Sequence, residues 1–169
     1  EDVTRCIEGA GFRRQLLVNG HGGNRGPLAA IAAEFVCSGR EVGYVDYFAP
    51  PAAEINALLK GSARGVTHAG EFETALVMAM ERDDPARLAF YEGRARGLPA
   101  RTKATARGTT QPNPIAAAGA WWPSVYLGDD AGYTGDPAAA TVQTGEAMAE
   151  AIVARLSAFF AAFAAAVLP

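Results

Sequence analysis

Apolar positions along the chain change their period several times, and the changes divide it into elements. Val3, Ile7 and Ala10 fall at helical spacing, with Gly9 and Gly11 as a stop, which predicts a short helix over 1–10. Residues 14–19 read as a strand whose run Leu16, Leu17, Val18 is apolar without a break, as expected of a strand covered on both faces. Gly20, Gly22 and Gly23 then suggest a tight turn with positive backbone dihedrals. Pro27 suits the first turn of a helix that places Leu28, Ile31, Ala32 and Phe35 on one face and ends at Ser38 and Gly39. Residues 42–48 return to strand character. Strand, helix and strand in this order predict a right-handed crossover between parallel strands, hence the α/β class.

Further along, Pro50 and Pro51 start a short helix through 57–59, and 61–65 form a connector. Phe72, Leu76, Val77 and Met80 give helical spacing over 70–80. Residues 83–120 are the least regular stretch, with four prolines and a basic cluster at Arg94, Arg96, Arg101, Lys103 and Arg107; a solvated loop face is expected. Trp121 and Trp122 are read as core or interface residues. Asp136 and Pro137 look like the cap and first turn of a last helix from about 138 toward 167. Its stripe of Ile152, Leu156, Phe159, Phe160, Phe163 and Val167 is a core or subunit-contact face.

Composition narrows the partners. A chain of 169 residues suffices for one domain with a single core. The formal charge of −3 arises from mixed signs without a basic stripe, which argues against nucleic acid and for a small polar substrate. Cys6 and Cys37 are the only cysteines and lack metal-ligand spacing, so free buried thiols in a reducing cytoplasm are expected. No secretory signal opens the chain. The apolar run 156–168 is shorter than the roughly 20 residues that span a bilayer, so no membrane partner is expected.

The candidate chemistry lies at the two histidines. His21 stands in LLVNGHGGN (16–24), where a strand gives way to a loop, at the carboxyl edge where parallel sheets bind ligands. His68 opens HAGEFET (68–74), with Glu71 and Glu73 in the first turn of the helix that follows. A hydrolytic metal site needs nitrogen and oxygen ligands, an open position for water and a nearby acid or base. His21 can supply nitrogen, one glutamate can supply oxygen, and His68 can pass a proton to a leaving nitrogen. Glu71 and Glu73 are separated by about 200° around a helix, so one of them at most faces a given ion. For either glutamate, the plainer role is to complement the helix dipole.

VNGHGGN (18–24), HAGEFET (68–74) and GYTGDPAAAT (132–141), in this order, resemble the creatininase family of metal-dependent amidohydrolases. The resemblance implies a three-layer α/β sandwich with a mostly parallel central sheet flanked by helices. It also implies a two-metal site with zinc or manganese, hydrolysis of a cyclic or linear amide, and frequently a homohexamer. By the same resemblance His21 and Glu73 are metal ligands and His68 has the proton-transfer role, while Glu71 matches a variable position. Gly23 stands where creatininase proper carries a further acidic ligand, which is more like the deformylase and peptidase branches. Family members complete the metal pair with a glutamate, a histidine and a bridging aspartate ahead of the first matching strand. Relative to the family, 1–169 is therefore expected to be one N-terminally incomplete domain. Two other readings stand beside the hydrolase. One is a catalytically incomplete, oligomer-forming domain; the other takes LLVNGHGGN as a phosphate-binding turn, although it lacks the dinucleotide glycine spacing and the P-loop lysine.

Overall fold

A computed structural model describes residues 2–62, 65–101 and 132–167. These contain two parallel strands and six α-helices, a mixed α/β arrangement. The chain divides into two compact units, one comprising 1–52 with 152–169 and the other 53–151.

In the first unit, helix α1 (Asp2–Gly9) precedes strand β1 (Gln15–Asn19), helix α2 (Arg25–Cys37) and strand β2 (Val42–Asp46). The strands pair in parallel, with Gln15 opposite Val42 and Asn19 opposite Asp46, as a strand–helix–strand crossover requires. Leu28, Ala32 and Phe35 of α2 face Leu17, Val42 and Tyr44 of the sheet, and Phe35 is fully buried. Arg40 extends this core: its guanidinium lies 4.6 Å from the Phe35 ring centroid and its Nε donates to Glu8 at 2.8 Å. Gln15 ties α1 to the strand by donating to the Thr4 carbonyl at 2.9 Å.

Four details differ from the sequence reading. Cys6 and Cys37, expected to be buried, are both exposed. Val3 and Ile7 are exposed while Thr4 is buried, because α1 is anchored through the Thr4 carbonyl rather than through an apolar stripe. Val18 is also exposed, so β1 is open on part of one face. None of Gly20, Gly22 and Gly23 takes a positive φ; the chain instead turns through a 3₁₀ segment at Gly22–Asn24 that leads into α2.

The second unit holds helices α3 (Ala52–Leu58, from its second residue on), α4 (Glu71–Met80) and α5 (Pro85–Arg96), followed by a 3₁₀ turn at Pro137–Ala139. Ile55, Leu59, Phe72, Ala75, Met78 and Met148 form its core. The buried stripe of α4 is thus Phe72, Ala75 and Met78, whereas Met80 is 72% exposed. Helix α5 occupies part of the stretch expected to be irregular. Its start has a physical cause, since the Asp84 carboxylate accepts the Ala86 and Arg87 N–H groups at 3.1 Å and Pro85 fills the first turn. Arg94 and Arg96 lie in its last turn, where cations complement the dipole. Trp121, Trp122, Lys103 and Arg107 fall outside the described residues.

Helix α6 (Val142–Ala165) belongs to the second unit up to Ala151 and to the first from Ile152. Asp136 and Pro137 open the 3₁₀ turn rather than α6, whose start is capped by Thr141 Oγ1 accepting the Thr144 N–H at 3.1 Å. In the first unit, Arg14 donates to the Phe163 and Ala164 carbonyls, satisfying groups that a helix end leaves unpaired. The Phe163 ring lies over Gly43 of β2, so part of the α6 stripe covers the sheet. Val153 and Phe160 stay exposed, and Val167 beyond the helix end does too. With 24 residues and a mean hydropathy of 1.6 over its most apolar window, α6 is long and apolar enough to cross a membrane by length and composition.

Candidate functional site

Both strands of the first unit end in polar side chains, and the register sets them side by side. Asn19 and Asp46 are 4% and 8% exposed, although a buried polar group must find partners or lose stability. They find each other: Asn19 Nδ2 donates to Asp46 Oδ1 at 2.5 Å. Asp46 Oδ2 accepts Arg25 Nε, and the Arg25 guanidinium stacks 5.2 Å from the Phe48 ring centroid. Asn19 also reaches forward, donating to the His21 carbonyl at 2.8 Å and accepting the His21 N–H at 3.2 Å.

His21 therefore stands where the sequence placed it, past the carboxyl end of β1, in extended backbone (φ −145, ψ 129) and exposed to solvent. Its ring lies against Gly23: a Cβ there would sit 2.7 Å from Nε2. An acidic side chain at position 23 would have to move the imidazole aside, so Gly23 and this His21 placement belong together.

The second unit carries His68 and both glutamates of its motif. His68 is exposed on the turn before α4, and its carbonyl accepts the Thr134 N–H at 2.7 Å. Ala69 takes a left-handed conformation (φ 46), which costs roughly 1–2 kcal/mol for a residue with a Cβ. Two side chains of α4 stabilise it. Glu73 Oε2 accepts the Ala69 N–H at 2.7 Å and Thr74 Oγ1 donates to the Ala69 carbonyl at 3.4 Å. Glu71 points elsewhere, as the 200° separation requires. It is 1% exposed and accepts the Lys60 and Gly61 N–H groups, each at 2.8 Å. Its part is larger than dipole complementation, because it anchors the connector to α4.

GYTGDPAAAT acquires a structural role. Gly135 (φ 102) and Gly70 both pack on the Thr67 hydroxyl so tightly that a Cβ on either would overlap it. Asp136 Oδ2 accepts the Ser62 N–H at 3.0 Å and its hydroxyl at 3.1 Å. The third motif thus braces the turn that presents His68 through the Thr134 bond and the Gly135 packing, and holds Ser62 through Asp136.

Asn19 and Arg25 were missed by sequence reasoning, and Asp46, an available carboxylate, was passed over because it lies outside the family's motifs. The available signal was two strands of equal length, each ending in a polar side chain of the kind that must pair when buried. A cavity of about 470 Å³ opens in the second unit between Met78, Arg82, Glu92 and Thr141; His68 and Glu73 do not line it.

An imidazole nitrogen and a carboxylate oxygen have the donor chemistry that zinc or manganese takes. Among the described residues, however, no group of three or more His, Cys, Asp and Glu side chains gathers closely enough to hold an ion. Glu73 already accepts a backbone N–H. The described residues thus do not fit a complete metal centre.

The family model described as creatinine amidohydrolase, Creatininase, matches residues 1–160. The chain belongs to the creatininase family, whose members are amidohydrolases acting on C–N bonds with divalent metals. Nothing matches among curated proteins or among solved structures.

Proposed function

We propose that the protein hydrolyses a C–N bond of a small cyclic or linear amide. Creatinine, a formylaminopyrimidine and a peptide-like amide all belong to the substrate class considered. The observation that carries this reading is the coincidence of family and geometry: the chain is a creatininase-family member in which His21 stands past the carboxyl end of a parallel strand with its backbone held on both sides by Asn19. His68, exposed on a turn braced by Thr134 and Glu73, would protonate the departing nitrogen. A divalent ion, zinc or manganese, belongs to the proposal through the family alone; His21 of the first unit and Glu73 of the second are each a donor of the type such an ion takes. The same reading takes the two-stranded sheet as part of a three-layer sandwich, and the exposed Val153 and Phe160 of α6 as part of a contact between copies in the cytoplasm. Glu146, Glu150 and Arg155 within α6 favour that over a bilayer span.

The test is turnover of a panel of small amides by the full chain supplied with zinc or manganese, beside His68→Ala. The expected result is hydrolysis that His68→Ala loses while its metal content is unchanged. Equal turnover in that variant removes His68 from the mechanism. A second reading, a non-catalytic domain that keeps the fold, is favoured by the lack of a three-ligand group among the described residues. About two tightly held ions per chain by elemental analysis would exclude it.

A further inference from the structure

We infer that Asn19 and Asp46 form a positioning pair for His21, in which Asp46 sets the orientation of the Asn19 amide and the amide sets the place of His21. The inference rests on the reading of His21 as a site residue. A primary amide has one end that accepts hydrogen bonds and one that donates them. Asn19 uses both on the same neighbour: Oδ1 accepts the His21 N–H at 3.2 Å and Nδ2 donates to the His21 carbonyl at 2.8 Å. This clamp works in one orientation of the amide and fails in the other, where donor would meet donor and acceptor would meet acceptor.

Asp46 makes the choice. Its carboxylate presents acceptors to the amide and takes Nδ2 at 2.5 Å, so Oδ1 is left to face the His21 N–H. Asn24 adds to the bias by donating from Nδ2 to the same Oδ1 at 3.3 Å. Asp46 is held in turn by Arg25, and the strand register places it opposite Asn19. At 4% and 8% exposure, Asn19 and Asp46 are scarcely reached by water that could substitute for these bonds. The sheet edge thereby fixes the backbone of His21 while the imidazole stays exposed to a ligand.

Two histidines in the chain make the experiment simple, because His68 serves as the internal control. Amide hydrogen exchange at His21 and the imidazole ¹⁵N signals of both histidines are recorded for the full chain, Asn19→Ala, Asp46→Ala and Asp46→Asn. Circular dichroism establishes that each variant is folded, and Asn19→Ser replaces Asn19→Ala if the latter does not fold. In both alanine variants the His21 amide is expected to exchange at least about five-fold faster, as loss of one such bond implies. Its imidazole signal moves or doubles, and the His68 signals stay in place. Asp46→Asn, which can still turn an oxygen toward Asn19, restores most of the protection. Added Zn²⁺ moves the His21 signal at several-fold lower concentration in the wild type than in Asn19→Ala. Unchanged His21 exchange and signals in Asn19→Ala would overturn the inference, as would an equal shift of the His68 signals. Zn²⁺ that moves neither histidine in the wild type counts against a metal role for His21, while the exchange comparison still decides the positioning pair.

Discussion

Glu71 should carry more of the second unit's stability than any other charged side chain there. Its carboxylate is 1% exposed and accepts the Lys60 and Gly61 N–H groups at 2.8 Å each. A hydrogen bond to a charged group contributes about 1.5–3 kcal/mol. Glu71→Ala removes the acceptor for two such bonds and strands both donors at a buried helix start, so a loss of about 3–5 kcal/mol is expected. Domains are stable by about 5–15 kcal/mol in total, which makes this a large fraction. Glu71→Gln keeps one acceptor and turns an amino group toward the other donor, for a loss of about 1–2 kcal/mol. Urea unfolding of the full chain measures the difference. With a slope of about 2 kcal/mol/M, the midpoint should fall by roughly 2 M for the alanine variant and by about 0.5–1 M for the glutamine variant. An alanine midpoint within about 0.3 M of wild type would refute the anchoring role. So would equal losses in the two variants, since the argument depends on which acceptors survive.

Gly145 packs against the Ala75 carbonyl so closely that a Cβ would overlap it, with the Ala79 Cβ only 2.9 Å away. Gly145→Ala should therefore destabilise by about 1–3 kcal/mol, read from thermal unfolding, although alanine is the better helix former. Asp84→Ala removes the cap of α5 and should cost about 1 kcal/mol, with a small loss of helical circular dichroism signal. Ala69→Gly relieves the left-handed strain at φ 46 and should raise stability by up to about 1 kcal/mol, visible as a higher unfolding midpoint.

The sequence made some of this legible and concealed the rest, for reasons that particular residues expose. The crossover was readable because Leu16 to Val18 and the 42–48 stretch are apolar runs divided by a helix-period segment, and the parallel pairing follows from that order. Helix α5 was hidden because Ala95 is its one buried residue, so no apolar stripe announces it, even though Asp84 and Pro85 form the cap signature. The same signature at Asp136 and Pro137 misled in the other direction. There the Asp136 carboxylate is committed to Ser62 rather than to the backbone ahead of it, and the turn stays 3₁₀. His21 and His68 were legible as candidates because they are the chain's two histidines and each stands at the boundary of an element with glycine close by. Asn19 and Asp46 were not, because their pairing depends on strand register, which periodicity leaves open. The role of GYTGDPAAAT was hidden for a similar reason, since the bond from Thr134 to the His68 carbonyl spans most of the second unit's sequence.

A C–N bond-hydrolysing site built at His21 needs that imidazole for turnover. Turnover of a small-amide panel is therefore measured for the wild type and for His21→Ala, each supplied with zinc or manganese. Hydrolysis by the wild type and a loss of at least roughly 100-fold in the variant are expected, the scale on which a group used in the transition state is felt. Equal rates in the two proteins, or a wild type that hydrolyses no amide in the panel, would contradict a site at His21.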